Sequence, residues 1–497
     1  MSNVLDSRWT ALGVLSATGL MTILDGSIVT VAMPAIQRDL GFTAAGLSWI
    51  VNAYLIPFGG FLLLAGRLGD LIGRRAMFLA GNAVFTAASL LAGAAGDPWM
   101  LIAARFLQGA GSALASAVVL GILVTLFTEP AERGKAIAIF SFTGAAGASI
   151  GQVLGGVLTD ALSWPWIFLI NVPIGAATVA LALRVLPADR GTGLRAGADV
   201  LGAALVTSGL MLGIYAMVKV EEHGWLSAHT LGLGAVALAL LGAFTARQAT
   251  ARTPLMPLRI LRSRNVVGAN LAQMLTLSGM FAFQVLVALY MQRVLGYGAL
   301  ETGLAMLPAA VGIGSISLFV SARLAARLGA RTVLMAGLVL LAAALVLLAR
   351  VPVDATYAAH LLPSMVLIAG GGLVLPALAT LGMSGARESD AGLASGLFNT
   401  TQQVGMAVGV ALLSTMAAGR TGELLAAGAS QAAALTGGYR LAFGIAAGLL
   451  VAAFAVALAV LRRPAAAPSA ADGTGADGTG ADGTAAGQPA DEIAAAK

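Results

Sequence analysis

The 497-residue chain contains no cysteine and only three histidines, and charged residues make up just 10% of it. Without cysteine there are no disulfides and no thiolate metal sites. His223, His229 and His360 are scattered and have no metal-ligand spacing. A GxxxxGK[ST] phosphate loop is also absent, so ATP is not the expected energy source. We therefore predict no metal and no cofactor.

Catalytic patterns are equally scarce. The sequence has no HExxH motif, no recognisable Ser/His pair and no paired carboxylates inside its apolar runs. A polytopic membrane enzyme needs such a cluster at one membrane face. The sequence therefore disfavours an enzyme.

Apolar residues are what the chain has in excess: 59% of it is hydrophobic, and the mean hydropathy is +0.91. A soluble domain carries about 25% charged residues, so this composition predicts a protein embedded in a lipid bilayer. The net charge is +6. It does not predict nucleic-acid binding, because the basic residues lie in short gaps between apolar runs.

Fourteen apolar runs are long enough to cross a membrane, which takes about 20 residues. The first is too long for a signal-peptide core and is kept as a span. We therefore predict an all-α membrane protein with 14 transmembrane helices. The predicted spans are 9–33, 46–65, 76–95, 99–125, 135–159, 164–186, 199–218, 229–247, 265–291, 301–322, 331–350, 357–383, 393–417 and 439–461.

The distribution of basic residues predicts the orientation of the chain. With the N-terminus inside, most of the 28 lysine and arginine residues fall on the cytoplasmic side, as the positive-inside rule requires. We therefore predict a multi-pass protein of the bacterial cytoplasmic membrane with both termini cytoplasmic. The segment 463–497 contains a short ADGTG repeat and almost no large apolar residue, so we predict a disordered cytoplasmic tail.

Two charged turns resemble each other. Residues 65–81, "AGRLGDLIGRRAMFLAG", align with residues 321–337, "SARLAARLGARTVLMAG". Spans 5 and 13 are also similar in sequence: Phe140, Gly147 and Gly151 match Phe398, Gly405 and Gly409. In both cases the matching segments are eight spans apart in the sequence. This spacing predicts two six-helix bundles, 1–198 and 251–462, with two additional helices, 199–250, between them.

These motifs identify a family resemblance over roughly residues 9–462. The chain resembles the fourteen-span drug:proton antiporter branch of the major facilitator superfamily. The resemblance implies a transporter that exports a small amphipathic molecule in exchange for protons by alternating access. The sequence does not determine the oligomeric state, and a monomer is the default expectation. The stretches that carry it are "LDGSIVTVAMPAI" (24–36), "GRLGDLIGRR" (66–75), "RFLQGAGSA" (105–113), "GASIGQVLGG" (147–156), "WPWIFLINVPIG" (164–175) and "ASGLFNTTQQVGMAVG" (394–409).

Asp25 and Arg105 are the candidate proton-coupling residues. Asp25 is the only acid well inside a predicted span, and Arg105 is the only basic residue inside one. Charges inside a membrane are costly and usually functional. Both lie at similar depths by helical rise, so we expect them to approach each other in at least one state. The alternative is a fixed structural ion pair.

The turn 66–75 is the candidate cytoplasmic gate, a role that the resemblance implies. Asp70 would engage nearby arginines and the positive N-terminal end of span 13 near 391–393. The second turn has Ala326 in place of Asp70, so the gate should be asymmetric. The alternative is that the arginines only keep the loop inside. The gate residues are Gly66, Arg67, Asp70, Gly73, Arg74 and Arg75.

Span 5 carries a face of small residues that lets another helix approach closely. The resemblance implies a hinge-like contact with the other bundle. Gln152 stands where the family normally has proline, which predicts a weaker kink. Plain helix packing is the alternative. The residues of this motif are Gly147, Gly151, Gln152, Gly155 and Gly156.

Uncharged side chains should supply the remaining polarity of a substrate cavity. One acid in an apolar cavity favours an amphipathic, drug-like or natural-product substrate. An exporter of an ordinary metabolite, such as an amino acid or sugar, is the alternative, although more charged side chains would then be expected. The cavity candidates are Thr22, Asn52, Gln108, Gln273, Phe281, Gln284, Asn399 and Gln403.

Overall fold

The computed structural model describes residues 2–43, 46–189, 191, 193, 199–252, 254–255, 258–384 and 391–461. The tail predicted at 463–497 lies outside these residues. The regular structure in the described part is helical. The helices are α1 (Ser2–Leu40), α2 (Ser48–Ile72), α3 (Arg74–Gly93), α4 (Pro98–Leu126), α5 (Pro130–Ala161), α6 (Trp166–Leu169), α7 (Asn171–Val185), α8 (Val200–Val218), α9 (Val220–His223), α10 (Ala228–Thr250), α11 (Arg264–Arg293), α12 (Ala299–Ser315), α13 (Ala322–Leu328), α14 (Ala330–Leu348), α15 (Leu362–Ile368), α16 (Gly371–Ser384), α17 (Ala391–Ala426) and α18 (Gln431–Ala459).

Each predicted span coincides with one helix or with consecutive helices. Spans 6, 10 and 12 are interrupted: span 10 by the π-helical turn Ile316–Ser321, and span 12 at residues 369–370, between α15 and α16. Span 12 begins with a second π-helical turn, Tyr357–Leu361. Among the described residues, 12 helical stretches are long and apolar enough to cross a membrane, or up to 13 if the bent pair in α2 counts as one. The fifth predicted span lies within α5, which is helical from Pro130 to Ala161 but is not among these stretches. The structure therefore supports a many-span helical protein but does not establish the count of fourteen.

The two related charged turns have the same backbone geometry. Gly73 separates α2 from α3 with φ 115° and ψ 136°. Gly329 separates α13 from α14 with φ 83° and ψ 146°. Glycine adopts positive φ without the penalty that a Cβ brings, which explains why both copies keep this residue. The sequence repeat is therefore also a structural repeat at this turn.

Helix packing repeats with the same shift. In the first half, α1 packs against α5 and α7; in the second, α11 packs against α17 and α18. Between the halves, α2 contacts α17 and α5 contacts α12. The helices α8 and α10 form a pair, and α8 also packs against α2 and α17. The boundaries predicted for the two bundles remain predictions.

The halves also meet at one end of the helices. Gln292 at the end of α11 donates from Nε2 to the carbonyl oxygen of Val31 at 3.0 Å. Arg293 donates to Oε1 of Gln37 on α1. We call this the Gln37 end and the opposite one the Arg74 end.

Candidate functional site

Asp25 and Arg105 form a buried ion pair. Asp25 lies on α1 and Arg105 on α4, and both side chains are at most 1% exposed. The guanidinium donates from Nη1 to Oδ2 of Asp25. A buried charge is stable only when it is paired and hydrogen-bonded. The structure therefore brings together the two charged residues that the sequence placed inside spans.

The second oxygen of Asp25 accepts two amide hydrogen bonds. Gln108 Nε2 donates to Oδ1 at 3.2 Å and Asn171 Nδ2 donates to it at 3.1 Å. Gln108 also donates to Ser89 Oγ at 2.8 Å and accepts from Arg105 Nη1 at 3.0 Å. The carboxyl group is thus surrounded by hydrogen-bond donors from α4 and α7.

Arg105 is held by contacts on its other sides. Its Nε donates to the carbonyl oxygen of Ile50 at 2.8 Å. Its guanidinium carbon lies 4.5 Å from the centre of the Tyr54 ring and 5.7 Å from that of Phe168. Arginine over an aromatic face is favourable, more so when desolvated. The pair therefore ties α1 and α4 to α2, and a change in the charge of Asp25 would be felt by several helices.

Two members of this network were not predicted as site residues: Ser89 and Asn171. Asn171 is fully buried, and its Oδ1 makes no hydrogen bond with the part of the chain that the structure describes. The signal was present, because Asn171 is a polar residue inside the apolar stretch "WPWIFLINVPIG". Sequence spacing alone gives no reason to connect it with Asp25, which lies 146 residues earlier.

The charged turn forms a local ion pair at the Arg74 end. Arg74 Nη2 lies 3.4 Å from Asp70 Oδ1, and both side chains are more than a third exposed. Arg74 also donates from Nη1 to the carbonyl oxygen of Gly121 at 3.1 Å. Arg67 and Gly66 are half-buried on α2. An approach of Asp70 to α17 stays a prediction, because residues 385–390 before that helix lie outside the described part.

Asp189 is an unpredicted partner of this turn. Its Oδ2 accepts from the backbone nitrogen of Arg74 at 2.6 Å, and its Oδ1 accepts from that of Arg75 at 3.0 Å. One carboxylate thereby caps two free amides at the start of α3, where negative charge is favourable. Gly193 donates to the carbonyl oxygen of Leu71 at 3.0 Å, so the segment after α7 contacts the turn twice.

The small residues of span 5 lie on two different faces. Gly147, Gly151 and Gly155 pack against α1 within the same half. A Cβ at Gly151 would lie 2.9 Å from the carbonyl oxygen of Leu24. Gly156 instead faces the second half, where a Cβ would lie 2.5 Å from Cα of Leu300. The expected single face is therefore split, because residues 151 and 155 share a helix face and 156 lies about 100° further round.

Gln152 lies on the face that meets the second half. The backbone carbonyl oxygen of Gln152 lies close to Gly303 of α12, and a Cβ at position 303 would collide with that oxygen. The side chain is 5% exposed, and its Oε1 makes no hydrogen bond with described residues. The backbone of α5 is helical through Gln152, and the weaker kink expected without proline stays a prediction.

The predicted cavity residues occupy varied surroundings. Gln108 belongs to the Asp25 network, and Thr22 donates to the carbonyl oxygen of Thr18 at 3.0 Å on its own helix. Gln273 donates from Nε2 to the carbonyl oxygen of Phe398 at 3.0 Å. Three candidates are half-buried: Phe281, Gln284 and Asn399. These residues are thus distributed over both halves, as a site between two bundles would need.

Asn52 and Gln403 stand out among these candidates. Neither side-chain oxygen has a hydrogen-bond partner among the described residues, and Nδ2 of Asn52 has none either. Both residues are buried. Gln403 packs against Gly59, which lies two turns along the same face of α2 as Asn52. An unpaired buried amide is costly, so this face of α2 has unused polar groups next to α17.

A second buried carboxylate holds the hairpin of α8 and α10. Asp199 precedes α8 and accepts from Gly202 N at 2.9 Å, from Gln248 Nε2 at 2.8 Å and from Arg247 Nε. Burial raises the pKa of the Asp199 carboxyl, but the hydrogen bonds from Arg247, Gly202 and Gln248 outweigh it and leave the pKa below its ordinary value. The ionised carboxylate therefore stabilises the hairpin.

The described residues contain no group of three or more histidine, cysteine or acidic side chains that could hold a metal ion.

Comparisons with known proteins agree on one family. The model of the Major Facilitator Superfamily matches residues 15–410. The puromycin resistance protein of Streptomyces alboniger is 38% identical over 452 residues, 89% of each chain. The cephamycin export protein of Amycolatopsis lactamdurans is 40% identical over 411 residues, 82% of this chain and 84% of that one.

Solved structures agree on the fold. A POT family transporter has a TM-score of 0.65 at 15% identity and covers 90% of this chain and 98% of its own. The nucleoside transporter NupG has a TM-score of 0.65 at 13% identity and covers 91% of this chain and 100% of its own. At these identities the likeness concerns the fold alone.

Proposed function

Because the chain belongs to the major facilitator superfamily, we propose that it is a proton-coupled exporter of amphipathic natural-product molecules. It works as a monomer with fourteen spans in the bacterial cytoplasmic membrane. The observation that carries the proposal is the fully buried Asp25–Arg105 pair in a mostly apolar helical interior. The relatives named for puromycin resistance and cephamycin export support the substrate class.

The excess of arginine supports an orientation with the Arg74 end in the cytoplasm and the Gln37 end outside. Contacts between the halves at the Gln37 end, such as Gln292 with Val31, then close the site from the outside. The side chains of Arg74 and Arg75 in the turn face the anionic inner leaflet.

Asp25 carries the proton. In the closed-outside conformation the carboxylate is ionised and bonded to Arg105, Gln108 and Asn171. When the outside opens, Asp25 takes one proton from the external water, and its hydrogen bond to Arg105 weakens. Arg105 is then free to rearrange with Tyr54 and Ile50 on α2, which couples the charge of one carboxyl to the position of a helix. Release of the proton to the cytoplasm restores the pair.

The other motifs support alternating access. The turn with Asp70 and Arg74 serves as the cytoplasmic gate, and α5 serves as the hinge through its contact with α12. Asn52, Gln273 and Gln403 supply polar groups to a cavity between the halves, in addition to the aromatic Phe281. A ligand that accepts and donates hydrogen bonds would satisfy their unpaired atoms.

Growth inhibition in a bacterial host stripped of its own efflux pumps tests the export function. Wild type should protect against some members of a panel of toxic amphipathic compounds, and Asp25→Asn at matched membrane expression should not. Glu423→Gln is the control, because Glu423 is exposed and pairs locally with Arg420, three residues earlier on the same helix. Absence of protection by wild type would contradict drug export and favour a dedicated metabolite exporter.

Proton coupling is tested separately in inverted membrane vesicles. The test compound is one against which the wild-type protein protects the host. Adding it to energised vesicles should dissipate the pH gradient when they contain wild type or Glu423→Gln, but not when they contain Asp25→Asn. Equal dissipation by Asp25→Asn would mean that the Asp25–Arg105 pair is purely structural.

A further inference from the structure

Asp160 joins the two halves of the protein at the Gln37 end. It lies in the last turn of α5 and is exposed. Its Oδ2 accepts a hydrogen bond from the backbone nitrogen of Leu300 at 2.8 Å. Leu300 is the second residue of α12, whose first amides have no partner within the helix. The carboxylate of one half therefore caps a helix of the other.

The contact depends on close packing of α5 and α12. Gln152, Gly156 and Asp160 are spaced by four residues and share one face of α5. Their counterparts on α12 are Gly303 and Leu300. A Cβ at Gly156 would lie 2.5 Å from Cα of Leu300, so glycine is required for the approach that brings the carboxylate within reach.

The α12 terminus has no side-chain cap of its own. Its N-cap residue is Gly298, which makes no capping side-chain hydrogen bond. Other helices of the chain, such as α4 with Asp97 and α10 with Ser227, are capped by their own N-cap side chains. A carboxylate at a helix N-terminus satisfies free amides and interacts favourably with the helix dipole. For α12 that group comes from α5.

We infer that Asp160 is a latch: a positioning residue whose bond to α12 favours the conformation closed at the Gln37 end. The bond exists only while the two helices touch, so its free energy counts for the closed state and not for the open one. Its place in a transport cycle rests on the proposed function. The bond acts beside the α1–α11 contacts of Gln292 and Arg293.

Distances between spin labels on the two halves test the latch. The chain has no cysteine, so Gly96→Cys and Val353→Cys place labels without further changes. Both positions are exposed, and they follow α3 and α14, which are equivalent in the two halves. A second pair, Thr128→Cys and Leu328→Cys, reports on the Arg74 end. The protein is measured by pulsed electron resonance in lipid nanodiscs, without substrate or proton gradient.

Asp160→Ala should raise the ratio of long to short distances at the Gln37 end by about two- to fivefold, as expected for loss of one charge at a helix terminus. Asp160→Asn, which keeps the side-chain volume, should give a smaller shift in the same direction. The Arg74 end should shift oppositely. Glu301→Gln is the matched control, because Glu301 lies in the first turn of the same helix and its charge is not part of the Asp160–Leu300 bond.

Unchanged distances in both Asp160 variants would overturn the inference. So would an equal shift in Glu301→Gln, since the effect would then belong to the helix terminus and not to the bond between halves. Because no transport is measured, these outcomes are independent of export. If the protein exports drugs but Asp160 is not a latch, the growth assay is positive and the distances do not change. If Asp160 is a latch but the protein does not export drugs, the distances change and the growth assay is negative.

Discussion

The Oδ2 atom of Asp189 lies 2.6 Å from the backbone nitrogen of Arg74, and its Oδ1 lies 3.0 Å from that of Arg75. A residue of the segment after α7 thus determines how α3 begins. The turn between α2 and α3 is therefore not a free hairpin, because the connection between α7 and α8 holds it in place.

Asp189→Ala should loosen the start of α3. Loss of an N-cap costs about 0.5–2 kcal/mol, so hydrogen exchange at the amides of Arg74 and Arg75 should accelerate several-fold. Mass spectrometry of peptides spanning 71–78 measures this. Asp97→Ala, which removes the cap of α4, should leave these amides unchanged, and unaltered exchange in Asp189→Ala would refute the capping role.

Breaking the buried ion pair one residue at a time should cost more than removing it whole. In soluble proteins the loss of one partner of a buried pair costs about 3–5 kcal/mol, because the other charge is left uncompensated. We expect Arg105→Ala to lower the thermal transition in detergent more than the double variant with Asp25→Asn does. Purely additive shifts would mean that the two side chains do not stabilise each other.

The two glycine faces of α5 should respond differently to substitution. Gly156→Ala places a Cβ 2.5 Å from a backbone atom of the second half. It should therefore disturb the contact between halves and reduce protection in the growth assay. Gly448→Ala is the control, since nothing lies within 4 Å of its Cβ position. Full protection by Gly156→Ala would show that α5 and α12 need not approach so closely.

Substitution of Asn52 tests whether its unpaired side-chain amide binds substrate or only supports the structure. Replacing it with leucine removes two unsatisfied buried groups, so stability should stay equal or rise. If the amide serves substrate, Asn52→Leu should change which compounds the host survives. A lowered thermal transition with an unchanged compound spectrum would contradict this and indicate a structural role.

Acid should weaken the hairpin of α8 and α10. The pKa of Asp199 is lowered in the folded protein from its ordinary value of 3.8. Its stabilising contribution is therefore complete above the unfolded pKa and is lost as the pH falls through the still lower folded pKa. Asp199→Asn should be less stable than wild type at pH 7, and the difference in thermal transition should shrink below about pH 4. A difference that persists unchanged at pH 3 would exclude this ion pair as its cause.

The sequence by itself determined the class of protein and its repeat. Long apolar runs require lipid, and the distribution of basic residues predicts an orientation, because both follow from the energetics of single segments in a membrane. The turn at Gly73 and its copy at Gly329 can also be recognised in the sequence, because a glycine with positive φ is a local requirement of the backbone. Asp25 and Arg105 stood out because a charge in an apolar run is costly without a partner.

Only the tertiary structure decided who the partners are. Asn171 reaches Asp25 across 146 residues of sequence, and Asp160 reaches Leu300 across 140. Helical periodicity states which residues share a face, but it does not state which helix that face meets. For this reason the sequence predicts a single glycine surface on α5, although Gly151 packs within the first half and Gly156 against the second. Contacts between helices depend on the packing of the whole bundle. That packing brings Asp160 to the start of α12, sets the two glycine faces of α5 against different helices, and gathers the hydrogen-bond donors around Asp25.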